Sequence, residues 1–423
     1  MTDRPNRPRF PEQGVSRERI LGDLAALQSG DVPAHGARNF RPNYYVDDEI
    51  LALVDEVSAA VAEQNVLYAG SSYPSLARIE AELVEMGLDL FGAPVDAAGT
   101  VTTGGSESNF LAVKAARDLF AARRGGAGGG RPELVLAHTA HPSFEKAAHF
   151  LGVRTRRAQR SVGFAADIEA MAAMVGPDTI MMVGSAPPAA YGQTDPIREL
   201  AAIAARHGIW FHVDSCMGGF FLPFARELGE PVPDFDFRVP GVWSLSADLH
   251  KFGYAPKGAS LLLLADRANL AFQEYRFEDW PWGLYATAGF SGSRPAAPVV
   301  AAWSVMRRLG RRGYLDVTRR TLAVKHRLMD GVRAIPGLGV VGRPDAAHFF
   351  VHAEGFDVYA VEEGLSARGW ALARARLPDS FQVWPGIPHE QSAAEFLADL
   401  AEVAAQVREA GTRSADRAAV YAR

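Results

Sequence analysis

The sequence predicts an open, mostly parallel α/β sheet followed by a smaller α+β domain. Three observations predict it. From about residue 99 to 264, apolar β-prone runs alternate with segments whose apolar residues recur at helical spacing. Three polar residues, His141, Asp214 and Lys251, each follow such a run. They therefore fall at strand C-termini, where the ligand crevice of an open α/β sheet lies. After Trp280 the pattern changes to a long helical stretch and then short strands and helices.

The 423 residues are enough for two or three domains. A hydrophobic content of 48% with 22% charged residues predicts a large buried core. The net charge of −5 argues against a nucleic-acid or anionic-membrane partner. Cys216 is the single cysteine, which excludes an intrachain disulfide and a cysteine-rich metal site and fits a reducing cytoplasm. The first residues are polar and rich in Pro and Arg, with no apolar signal core, and no apolar run reaches the length of a membrane span.

Residues 1–15 read as disordered. Ile20, Leu21, Leu24 and Leu27 predict a helix over 16–30, and Ile50 to Val57 predict another over 47–63. The loop NVLYAGSSYP (65–74) leads into a helix over 75–91. A short strand then enters Gly104-Gly105-Ser106, and a helix continues from Ser108 with Phe110, Val113 and Leu119 inward. Residues 123–131 (RRGGAGGGR) read as a flexible surface loop. Strands follow at 134–138, 180–184, 209–213, 242–245 and 260–264, with a helix at 197–207. Residues 280–295 form an aromatic, Gly-rich connection. A helix pair at about 297–309 and 313–334 precedes strands at 338–341, 348–352, 371–376 and 381–384 and helices at 358–367 and 393–409. The expected domains are an N-terminal arm and helices (1–60), a large α/β domain (61–310) and a small α+β domain (311–423).

The chemistry concentrates in VWSLSADLHKFGYAPKGAS (242–260): a strand, a loop with Lys251 at its apex, and a second strand. A lysine so placed suits a Schiff base with pyridoxal 5'-phosphate. Glycines at a helix start let backbone N–H groups approach an anion, so Gly104-Gly105-Ser106 is an anion-site candidate. Neither the GxGxxG nor the GxxxxGK[ST] spacing is present. His138 and His141 lack further ligands at helical spacing, so no metal is expected.

The motifs TTGGSESN, HTAHPSFEKAA, HVDSCMGGFFLPF, FDFRVPGVWSLSADLHKFGYAPKGAS and SGSRP, in this order over residues 40–400, resemble the fold-type-I pyridoxal-phosphate enzymes. More narrowly, they resemble the sphingosine-1-phosphate lyase branch of the group II decarboxylase superfamily. The resemblance implies the aspartate aminotransferase fold, with a seven-stranded-type sheet in the large domain, and a homodimer with composite sites. It implies that Lys251 bears the cofactor, that Asp214 pairs with the pyridinium nitrogen, and that His141 stacks on the ring. Gly105, Ser106, Ser246 and His250 would hold the phosphate; Tyr191, Lys257 and Arg294 would face the substrate. Cys216 is implied as a packing residue. Two segments depart from the family's wording: LYAGSSYP lacks its histidine, and TAGFSG carries Gly289 where the family has threonine.

The implied activity is a carbon–carbon lyase acting on a β-hydroxy amine, phosphorylated or not. The alternatives are an amino-acid α-decarboxylase, which uses the same cofactor set, and a silent relative acting as a scaffold. Retention of Lys251 and Asp214 weighs against the last.

Overall fold

The computed structural model describes residues 10–124, 130–159 and 163–420. Residues 1–9 of the expected disordered arm, and residues 125–129 of the expected glycine-rich loop, lie outside the described residues.

Seven strands form the central sheet: β1 (Ala98–Thr102), β2 (Glu133–Leu136), β3 (Arg154–Arg157), β4 (Thr179–Ser185), β5 (Trp210–Asp214), β6 (Ser244–Ala247) and β7 (Ser260–Leu264). Their spatial order is β1-β7-β6-β5-β4-β2-β3. From β6 across to β3 every neighbour is parallel, whereas β7 runs antiparallel to both β6 and β1. The mostly parallel expectation therefore holds, with one reversed strand. The reason is local: β6 and β7 are joined by the Lys251 loop without a crossover helix, and so direct a return gives antiparallel pairing.

All residues of β4, β5 and β7 are buried, as a sheet covered on both faces requires. Alternate side chains separate into two cores. Leu261 and Leu263 pack with Leu83, Phe211 and Leu245 on one face, and Leu262 and Leu264 pack with Leu111, Leu134 and Phe144 on the other. Each such fully buried Leu or Phe contributes about 1.5–3 kcal/mol.

Sequence patterning missed β3, whose residues are Arg-Thr-Arg-Arg. This edge strand is held by backbone pairing and by charge, not by apolar alternation. Arg154 lies 3.2 Å from Glu133 and Arg157 lies 3.0 Å from Glu145. Patterning also missed the helices Ile168–Ala173 and Leu222–Glu227, which at six residues each are too short to show a repeat. An exposed hairpin, β8 (Tyr275–Phe277) with β9 (Tyr285–Thr287), lies within the 275–295 stretch.

The small domain carries an antiparallel sheet of β10 (Leu338–Val340), β11 (Phe349–Ala353), β12 (Ala373–Ala375) and β13 (Ser380–Val383), ordered β10-β11-β13-β12. The helices Val358–Ala367 and Ala393–Ala410 share its core with Leu328 and Val332 of the long helix Ala297–Ala334.

Phe40 is fully buried in the small-domain core, stacked 4.1 Å from His389, and its N–H donates to Ala371 O at 2.9 Å. The helix Asp48–Ala60 lies along Ala297–Ala334. The helix Arg17–Gln28 forms where its spacing predicts, yet buries none of its residues.

The two helices expected at about 297–309 and 313–334 are one element broken at Gly310, whose φ of 55° and ψ of −178° are accessible essentially to glycine alone. A Cβ added there would meet nothing within 4 Å. Gly310→Ala is therefore a pure backbone test. Chemical denaturation should show a loss of about 1–3 kcal/mol, and an unchanged midpoint would contradict the break.

Candidate active site

Asp214 ends β5 and is 6% exposed. A carboxylate so buried has to be surrounded by donors. Its Oδ1 accepts from the Cys216 N–H at 3.1 Å and from Ser246 Oγ at 3.4 Å, and its Oδ2 accepts from Asn109 Nδ2 at 3.2 Å. Asn109 is the hub: Nδ2 also donates to Ser143 Oγ at 3.0 Å, and Oδ1 accepts from Ser246 Oγ at 2.9 Å. His212 reaches Asn109 Oδ1 and Ser246 Oγ, each at 3.3 Å. Burial pushes the His212 ring down to about 4, against the pull of Asp214, so it is neutral.

His141 opens the next helix on the same side of the sheet. Its Nδ1 accepts the Ser143 N–H at 3.1 Å and faces Ser143 Oγ at 2.9 Å. Burial lowers its pKa, against the opposing pull of Asp214. Asp214, Asn109, Ser143 and His141 thus form one connected line.

The helix Gly105–Arg123 begins just past the C-terminal end of β1, three residues beyond Thr102. Its first turn closes through the Glu107 and Ser108 N–H groups on Gly104 O, at 2.9 and 3.0 Å. The amides of the first helical residues have no intrahelical acceptor. Gly104 adopts φ 157°, and a Cβ there would stand 3.1 Å from His250 Cε1. A Cβ on Gly105 would stand 2.5 Å from Cys216 Sγ and 2.9 Å from Asp248 Oδ1. Only glycine permits this approach of the helix start to the lysine loop. The Glu107 carboxylate braces the same turn: it accepts from Thr103 N at 2.7 Å and from Phe290 N at 2.7 Å.

Lys251 lies in the turn after β6, with Nζ 2.8 Å from Asp248 Oδ2. Burial is the largest single influence and opposes its charge, but the Asp248 carboxylate, with smaller help from Cys216 and Tyr44, holds the ammonium above the ordinary lysine range. Lys257, in the same loop, donates from Nζ to His250 O at 2.8 Å and lies 4.5 Å from the ring centroid of Tyr44. Lys257 is exposed, yet the desolvation its surroundings impose, aided by the Lys251 charge, pushes its pKa down to about 8.

Lys251, Asp214, His141, Gly105, Ser106 and His250 therefore share one neighbourhood. Its parts fit pyridoxal phosphate: an amine, a fixed carboxylate, a neutral imidazole, and a glycine cradle at a helix start beside His250. Ser246 departs from its expected role. Its hydroxyl is fully buried among Asn109, Asp214, His212 and Cys216, so it braces the carboxylate instead of facing an anion. Cys216 is buried, and burial lifts its thiol well above the usual value, which suits packing and not nucleophilic attack.

Two expected substrate residues are engaged elsewhere. Tyr191 is 4% exposed, packs with Val341 and Phe350, and donates from its hydroxyl to Leu377 O at 2.5 Å. Arg294 pairs with Glu80 at 3.0 Å and donates to Val101 O at 3.0 Å. It lines a cavity of about 430 Å³ with Glu80, Thr100, Arg267 and Thr287 that includes none of Lys251, Asp214 or His141. Sequence reasoning missed Asn109, His212, Asp248, Glu107 and Tyr44. Four of them stand inside the quoted motifs GGSESN, HVDS and ADLHK, where buried polar positions on apolar elements were the available signal. Tyr44 carried none. Among the described residues no group of three or more His, Cys, Asp or Glu could hold a metal ion.

Residues 3–342 match the pyridoxal-dependent decarboxylase conserved domain. The sphingosine-1-phosphate lyase of Oryza sativa subsp. japonica is 35% identical over 98% of this chain and 78% of its own length. A probable L-aspartate decarboxylase of Pyrococcus abyssi is 32% identical over 93% of this chain and 99% of its own length. Among solved structures, the sphingosine-1-phosphate lyase of Burkholderia pseudomallei K96243 superposes with a TM-score of 0.90 at 35% identity, covering 95% of this chain and 94% of that one.

The cradle generates a test. In Gly105→Ala the new methyl group must displace Cys216 or Asp248. Overpacking of this kind costs about 1–3 kcal/mol, or about ten- to hundredfold in cofactor affinity. Adding Cys216→Ala removes the nearer contact and should recover part of the loss, as equilibrium titration with the cofactor would read. Wild-type affinity in Gly105→Ala would show that the cradle is not the cofactor's.

Proposed function

The chain belongs to the pyridoxal-dependent decarboxylase family, and within it to the sphingosine-1-phosphate lyases, and on that premise we propose that it cleaves a phosphorylated β-hydroxy amine by retro-aldol chemistry into an aldehyde and a phosphorylated amine. It is a pyridoxal 5'-phosphate-dependent lyase. The observation that supports this substrate is the Lys251 loop, which carries a second ammonium, Lys257, against the Tyr44 ring.

When bound, the cofactor supplies the electron sink for the pair released as the bond breaks. Lys251 would hold it covalently and, once free, would move a proton at the substrate carbon. Asp214, fixed by Asn109, Ser246 and the Cys216 N–H, would pair with the ring nitrogen and keep it protonated. His141 would cover the ring as a neutral imidazole, and the Gly105 and Ser106 amides would take the phosphate; His250, expected there too, first needs to leave the Gly258 and Ala259 N–H groups and Asp248. The substrate's β-hydroxyl gives up a proton and the Cα–Cβ bond breaks. The aldehyde leaves with the hydroxyl oxygen, and Cα takes up one proton. Lys257 anchors the substrate phosphate. Tyr191 and Arg294, expected in that role, first need to leave Leu377 and Glu80.

The relative described as a probable L-aspartate decarboxylase favours a second reading, loss of an α-carboxylate. Product analysis separates the two. Phosphorylated β-hydroxy amines should give one aldehyde and one amine per turnover without carbon dioxide. Stoichiometric carbon dioxide from an amino acid would replace the lyase reading.

Lys257 predicts a pH dependence. Its amine is charged below about 8 and neutral above, so kcat/KM for a phosphorylated substrate should fall as pH rises through that value. An unphosphorylated analogue should not show that limb, and neither substrate should show it in Lys257→Ala. Identical profiles with both substrates would remove the anchor.

We further propose a cytoplasmic homodimer. Among the described residues no helix is long and apolar enough to cross a membrane. The exposed apolar side of Arg17–Gln28 (Ile20, Leu21, Leu24, Leu27), with Trp282 at 83% and Phe290 at 68% exposure, is more apolar surface than scattered residues would leave in water. In a composite dimer, mixing Lys251→Ala subunits with subunits altered in the 280–295 stretch should restore part of the activity. A fully active monomer would refute the assembly.

A further inference from the structure

Three residues before Lys251, Asp248 is 2% exposed, with Oδ2 held 2.8 Å from Lys251 Nζ and 3.4 Å from His250 Nε2. Its other oxygen, Oδ1, is buried with no hydrogen-bond donor. The turn imposes this arrangement. β6 ends at Ala247, the Lys251 N–H points to Asp248 O at 3.4 Å, and the Tyr254 N–H donates to Lys251 O at 2.9 Å. A buried carboxylate with one bare oxygen keeps its charge only through the cation beside it.

The other groups facing Lys251 bear on its charge less than Asp248 does. Cys216, on the segment after β5, stays a thiol because burial lifts it. Tyr44 faces the lysine from the N-terminal segment. His141 and Lys257 feel its charge, and both are pushed toward their neutral forms chiefly by burial. His348, from the small domain, is pushed down to about 3 by burial and is neutral. Among the described residues, Asp248 is the carboxylate within ion-pair distance of Lys251.

We propose that Asp248 is the positioning counter-ion of Lys251: it seats the lysine as an ammonium whenever that lysine is not bonded to the cofactor, and so governs how readily Lys251 captures the cofactor and returns to it after each turnover. The proposal rests on the reading of Lys251 as the cofactor-bearing residue. Capture forms one C=N bond between Nζ and the cofactor's aldehyde carbon, releases one water, and sends the ammonium's extra proton to solvent. The nitrogen can attack only after the pair with Asp248 has given up that proton.

The test uses the full chain freed of cofactor. Lys251 acetylation by acetic anhydride is followed by peptide mass spectrometry across pH, in wild type and Asp248→Asn. Without the carboxylate, burial alone acts on the amine. The labelling midpoint should then fall by more than one pH unit, and labelling near pH 8 should rise by about tenfold or more. Covalent capture of added pyridoxal phosphate, trapped with borohydride, should accelerate in the same pH range. A second pair of variants guards against simple misfolding. Lys251→Ala strands a buried charge, so Lys251→Ala with Asp248→Asn should melt above Lys251→Ala alone. Unchanged labelling profiles, or a double variant that melts no higher, would overturn the role of Asp248. Borohydride attachment to a different lysine would overturn the reading of the site itself, a result the acetylation profile cannot mimic.

Discussion

Two carboxylates buried at the ends of neighbouring strands constrain the rest of this structure. Asp214 ends β5 and Asp248 follows β6. Charge in such a place is costly unless donors or a cation surround it. Asp214 takes the first solution, with two side chains and a backbone amide. Asp248 takes the second, with the Lys251 ammonium at 2.8 Å. The fold is arranged so that both solutions hold at once, a few residues apart on adjacent strands.

The sheet supplies the means. Register pairs Asp214 with Ser246 across β5 and β6, which places that hydroxyl against the carboxylate. The helix Gly105–Arg123 crosses the same ends and delivers Asn109 one turn below Gly105. Its glycines then let the helix start close on the lysine loop. The helix that donates to Asp214 through Asn109 thus also carries the glycine turn against the lysine loop, so a change in one part is felt in the other.

The second domain closes the region from another direction. Phe40 ties the N-terminal segment into the small-domain core, and Tyr44, four residues on, faces Phe252 and Trp384 edge-on at 5.2 and 5.8 Å. The lysine loop is therefore lined by three parts of the chain that are far apart in sequence. The 275–295 stretch stays mostly exposed, tethered by Glu107 to the cradle helix. Its aromatic side chains face outward, which is why the homodimer enters the functional reading.

Sequence alone was enough for the alternation of strands and helices, the glycine-started helix, the place of Asp214 at a strand end and of His141 and Lys251 in the segments that follow β2 and β6, and the small α+β domain. Each of these is encoded locally, in periodicity or in residues a few positions apart. Tertiary structure decided the rest, because the contacts are long-range. Asn109 meets Asp214 across 105 residues and Ser246 across 137, and Arg294 meets Glu80 across 214. No spacing rule distinguishes a serine that holds a phosphate from one that braces a carboxylate. That choice fell to the β5–β6 register, which puts Ser246 against Asp214. Likewise β3 has no apolar signal, since its arginines are paired only once the carboxylates of Glu133 and Glu145 have been folded beside them.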